Sequence, residues 1–162
     1  MNAAFNEFRR LITSPFKFTL FTLTKLPSAF FAGLQVAFFN ETKTVIVVRQ
    51  KWFNKNPFHS IYFAVLVMAA EVSTGIAGFA AVYKRSPSVS MLVIKNEGQF
   101  YKKATGKISF TCLDVQAVQD LVEQAIAAND SRSIRCHSTG TNEQGELVAE
   151  FWFTWSFKPR SV

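Results

Sequence analysis

At 162 residues the chain has the length of one domain and can bury a core without disulfides or metals. Hydrophobic residues make up 49% and aromatics 15%, with eighteen phenylalanines, which excludes a disordered chain. The net charge of +7 suits an anionic partner, but no zinc-finger spacing, RNP-like segment or helix-turn-helix pattern accompanies it, so a nucleic-acid partner is not expected.

In chain order, Phe5, Phe8, Leu11 and Ile12 recur at helical spacing over residues 4–12, and Ser14-Pro15 stops that helix. A second short helix is predicted over 16–25, before Pro27. Residues 34–39 and 44–49 read as strands joined by the turn Asn40-Glu41-Thr42-Lys43. An Asn/Pro loop leads into a long apolar helix over 60–82, with Ser60 as its cap, closed by Lys84-Arg85-Ser86-Pro87. Strands follow at 89–94, 100–103 and 108–112; Asp114 is the expected N-cap of a helix to about residue 128. The last two strands lie near 131–140 and 146–158, the second with Ala149, Phe151, Phe153, Trp155 and Phe157 on one face. An antiparallel sheet with one apolar face needs a cover, and a helix apolar all round is long enough to cross it. The fold class is therefore α+β, a curved sheet wrapped around one central helix.

Glu71 lies inside the apolar run Ile61 to Ala70 and its continuation. A carboxylate there is costly to bury unless something pairs with it or uses it. The helix is also long enough to span a bilayer, but the acid at its midpoint opposes insertion, and the flanking strands would lose their core without it. The Phe-rich segment with Phe16, Phe18, Leu20, Phe21 and Leu23 is able to lie on lipid; packing as an extra cover is the favoured reading, and membrane contact is not expected. Cys112 and Cys136 fall on predicted strands without CxxC spacing, which fits buried thiols in a reducing compartment. Arg9, Arg10, Lys17 and Lys25 interrupt any clean signal-peptide apolar region, so a cytoplasmic location is expected. Neither His59 nor His137 has metal-ligand neighbours at suitable spacing, so neither a metal nor another cofactor is expected.

Asn-Pro-Phe-x-Ser-Ile-Tyr-Phe-Ala at 56–64, followed by Met-Ala-Ala-Glu-Val-Ser-Thr-Gly at 68–75, resembles a largely uncharacterised bacterial family of the hotdog superfamily, allied to acyl-CoA thioesterases of the phenylacetyl-CoA type. The resemblance spans roughly residues 30–158. It implies a hotdog domain over 29–160 behind an N-terminal helical extension at 1–28. It also implies a site in which an asparagine before the helix and an acid fifteen residues later act together, as Asn56 and Glu71 are spaced here, with Ser73-Thr74 after the acid. The His-Gly-Gly turn of those enzymes falls on Tyr62-Phe63-Ala64, so a bulky side chain stands where the family has a close-approach glycine.

The expected site follows. Glu71 acts as general base or nucleophile, Asn56 holds the water or carbonyl, and the backbone N–H of Phe63 at the helix start stabilises the oxyanion. Tyr62, His59 and Thr74 contact substrate. The alternatives for Glu71 and Asn56 are a structural acid and a loop-closing amide. The function implied is acyl-CoA or related acyl thioester hydrolysis in a groove between the central helix and a dimer partner. The alternative is a hotdog module that binds acyl ligands without catalysis. Open strand edges point to a homodimer or a dimer of dimers.

Overall fold

The computed structural model describes residues 3–160. Three helices come first: α1 (Ala3–Ile12), α2 (Pro15–Lys25) and α3 (Pro27–Ala32). Strands β1 (Gln35–Phe39) and β2 (Thr44–Arg49) form the first hairpin. A 3-10 turn at Trp52–Asn54 precedes the central helix α4 (Phe63–Val82). Strands β3 (Val89–Phe100) and β4 (Lys107–Cys112), helix α5 (Val115–Ala128), and strands β5 (Arg132–Thr141) and β6 (Leu147–Pro159) complete the chain.

The six strands form one antiparallel sheet in the order β1-β2-β4-β5-β6-β3. Alternation sets its inner face. Ile108, Phe110 and Cys112 on β4, Cys136 and Ser138 on β5, and Phe151, Phe153, Trp155 and Phe157 on β6 are buried, while the intervening residues reach the other side. Against this face lies α4, from which Leu66, Ala69, Ala70, Ala77 and Ala81 enter the core. Small side chains let the helix approach closely. At Gly78 a Cβ would come within 3.2 Å of the Phe157 ring and 2.7 Å of the Met91 methyl, so only glycine fits without a shift. Phe5, Phe8, Ile12 and Phe18 of the N-terminal helices join the same hydrophobic cluster. Although α4 is apolar and long enough to cross a membrane, 72% of its apolar window is buried inside the fold.

Four details differ from the sequence-based expectations. First, α4 begins at Phe63, and Ser60 does not cap it. The N–H of Ile61 donates to Ala104 O at 2.8 Å and that of Tyr62 to Asn54 O at 2.8 Å, which holds this stretch extended. Second, residues 89–100 form one unbroken edge strand, and Tyr101, Lys102 and Lys103 lie beyond it. The polar stretch between the two expected strands, residues 95–99, pairs with β6 as well, and the pairing runs as far as Phe100 opposite Ala149, across one bulge between Val93 and Lys95. Third, α3 fills a stretch for which no element was expected. Pro27 opens it and Gly33, at φ 79°, ends it, but six residues are too few for a periodic signal. Fourth, Asp114 occupies the N-cap position of α5 without capping it. Its Oδ2 instead accepts the His137 N–H on β5 at 2.7 Å.

Candidate active site

Glu71 sits midway along α4, on the side covered by the N-terminal helices. One helical turn on, Gly75 leaves room for its carboxylate. A Cβ there would lie 3.2 Å from Glu71 Oε1 and 3.3 Å from the Trp155 ring. Two adjoining hollows meet at Glu71. The first, of ≈ 50 Å³, is apolar, with walls from Phe8, Ile12, Phe18, Phe21 and Phe79. The second, of ≈ 180 Å³, runs under the α2–α3 corner beside Lys25, Pro27 and Met68. The first takes a water or two at roughly 30 Å³ each, so an acyl chain needs the second as well.

The Glu71 carboxylate has no hydrogen-bond or ion-pair partner among the described residues. Burial without compensation disfavours its charged form and pushes its pKa up to about 7. The arrangement therefore holds a carboxylate near its titration midpoint at neutral pH, against an apolar wall. Such a group can take a proton from water and return it.

The other expected residues have different surroundings. Asn56 Oδ1 accepts the N–H of Phe58 at 2.9 Å and of Ser60 at 3.2 Å, and its Nδ2 donates to Ser60 Oγ at 3.0 Å. Its amide thus closes the 56–60 loop, and Asn56 lines neither hollow beside Glu71. His59 is exposed in that loop at φ 59°, its N–H donating to Asn56 O at 3.1 Å. Tyr62 and Phe63, both half exposed at the start of α4, touch edge to face at 5.0 Å. The Phe63 N–H has no acceptor among the described residues, as expected in the first helical turn. Thr74 is buried, donating to Glu71 O at 3.0 Å and accepting from Trp155 Nε1 at 2.9 Å, and so it fixes the indole that borders Glu71.

Eight residues of helix separate Phe63 from Glu71, about 12 Å along the axis. Within one chain the structure thus groups Asn56, His59, Tyr62 and Phe63 at the helix start and leaves Glu71 apart with Thr74. The cavity walls from α1 and α2, together with Gly75 and Trp155, were not anticipated from the sequence. The helical spacing of Phe5, Phe8 and Ile12 was the one signal that this segment has an inner face.

No family model matches the sequence, and no curated protein matches it. Solved structures do match its fold. A Pseudomonas aeruginosa protein of unknown function, described as a "probable thioesterase", superposes with a TM-score of 0.75 at 19% identity, over 93% of this chain and 99% of that one. A Haemophilus influenzae thioesterase gives 0.61 at 14% identity, over 86% and 88%. A variant of a Staphylococcus aureus thioesterase gives 0.64 at 11% identity, over 82% and 99%. One antiparallel sheet around one buried helix, shared with these structures along most of their length, makes this chain a hotdog-fold protein.

Proposed function

We propose that the protein is a cytoplasmic acyl thioester hydrolase, with an acyl-CoA or a related thioester as substrate and Glu71 as general base. The observation that carries this reading is the unpartnered Glu71 carboxylate, held up to about 7 in an apolar hollow. In its charged form Glu71 takes a proton from water. The resulting hydroxide adds to the thioester carbonyl, and an oxyanion forms. Collapse breaks the C–S bond, and the thiolate leaves with the proton that Glu71 held. Backbone N–H groups at a helix start are preorganised for that oxyanion, and the free Phe63 N–H is the candidate.

A reacting carbonyl must lie about 3 Å from both groups, which the 12 Å along one helix forbids. The proposed site therefore combines Glu71 of one protomer with the Phe63 turn of its dimer partner. In that site Asn56 acts through the turn it closes, Tyr62 and His59 flank the acyl group or its carrier, and Thr74 acts through the Trp155 indole it fixes beside Glu71.

The test is hydrolysis across a panel of acyl-CoA chain lengths. Glu71→Gln is expected to keep the fold yet lower kcat/KM by at least about a hundredfold, and Asn56→Ala to lower it less. Wild-type kcat/KM should rise with pH and level off above about 7, where the base is charged. Full activity in Glu71→Gln removes the mechanism. An inactive wild type that still binds acyl ligands establishes instead the non-catalytic binding module.

A further inference from the structure

Packing accounts for only half of the N-terminal helices. On α2, Phe18 and Thr22 are buried, whereas Phe16, Leu20 and Leu23 form an exposed stripe at i, i+4 and i+7, with Phe16 79% exposed. The apolar surface does not stop at α2. Next in the chain, Phe31 of α3 is exposed and touches Phe53 at 5.9 Å, and Trp52 beside it is 80% exposed.

Charge is distributed with the same bias. Residues 1–62 hold eight of the eighteen Lys and Arg but two of the eleven acids. Both acids are already paired, Glu7 with Lys84 at 2.7 Å and Glu41 with Arg9 at 2.9 Å. Lys17 and Lys51 stand exposed next to Phe16 and Trp52, and Lys25, exposed on the other side of α2, lines the hollow shared with Glu71; none of the three forms an ion pair among the described residues.

We propose that this face of α2, α3 and the Trp52 turn docks on an anionic lipid bilayer. Exposed aromatic and aliphatic side chains next to lysines match the two layers of such a surface, acyl chains below and anionic headgroups above. A second copy of this face is a poor occupant, because a two-fold contact would bring its unneutralised lysines together. Self-association through the free β3 edge leaves the face open, since β3 lies across the sheet from β1, against which α2 packs. Docking also has a geometric consequence. The ≈ 180 Å³ hollow that reaches Glu71 is lined by Lys25 and Leu26, so it lies at the docked corner, where an acyl chain can enter from the interface. That consequence rests on the hydrolase reading; the docking does not.

The experiment is co-sedimentation of the full chain with phosphatidylcholine vesicles containing about one third phosphatidylglycerol, a surface negative enough to recruit juxtaposed lysines. Wild type is expected to bind, to release as salt is raised, and to bind pure phosphatidylcholine at least about tenfold more weakly. Phe16→Ser/Leu20→Ser/Leu23→Ser should lose at least about tenfold in binding with unchanged circular dichroism at a temperature well below its midpoint, because Phe16 is 79%, Leu20 52% and Leu23 46% exposed. Lys17→Glu/Lys25→Glu should lose binding to the anionic vesicles specifically. Glu71→Gln should bind as wild type does, which separates docking from chemistry. Wild type that stays in the supernatant, or a triple variant that binds undiminished, overturns the proposal. A triple variant that changes the mass in solution also overturns it, by making the face a contact between copies.

Discussion

Burial holds the Glu71 carboxyl up to about 7 against an ordinary value of 4.5, and this links the proposed base to a thermodynamic measurement. Between those values the folded chain keeps a proton that the unfolded chain has released. Stability therefore falls as pH rises through that window and levels off above it. The loss is at most about 3 kcal/mol, since a tenfold change in proton affinity corresponds to about 1.4 kcal/mol. Glu71→Gln is neutral throughout. It is expected to match wild type in urea unfolding near pH 4 and to exceed it near pH 8 by up to that amount. Equal stabilities at both pH values would mean that the carboxylate is solvated or paired. An acid amid an apolar run was legible in the sequence because the anomaly is itself the signal. Gly75 and Trp155, which make room for it, were not, because only the fold brings β6 to α4. Asn56 had two readings open, and its local bonds to Phe58 and Ser60 are those of a loop-closing amide.

Among the elements, α5 and β5 are tied by a contact that its sequence position disguises. Asp114 stands where an N-cap belongs, yet its carboxylate reaches the His137 N–H on β5 and lies 3.8 Å from the Cys112 thiol on β4. Removing it leaves a partly buried N–H without an acceptor, so Asp114→Ala is expected to cost about 1–3 kcal/mol in denaturant unfolding, and Asp114→Asn less. A true N-cap loss would be read instead as fraying confined to α5 in hydrogen exchange. Helix and strand identities were largely legible, because period-two burial on β4 and β6 and continuous apolarity on α4 survive in one dimension. Element ends were less so. The start of α4 is set by acceptors on Asn54 and Ala104, and the continuity of β3 by its pairing with β6.

At the level of the whole molecule, β3 presents a twelve-residue edge with one side unpaired, and the proposed site needs a second protomer. Light scattering at micromolar concentration is expected to report at least twice the 18.2 kDa chain mass. A stable monomer would remove the two-protomer site and with it the proposed oxyanion contact. The sequence by itself determined the local periodicities, the enclosure of an apolar helix by a sheet that needed a cover, and the misfit acid within that helix. These follow from burial, which each residue's chemistry largely decides. Only the tertiary structure decided that α1 and α2 wall the Glu71 hollow, that Asn56 and Glu71 lie apart within one chain, and that half of α2 stays uncovered. Each of these depends on which distant surfaces meet, and the free energy of such a meeting is a property of both surfaces together.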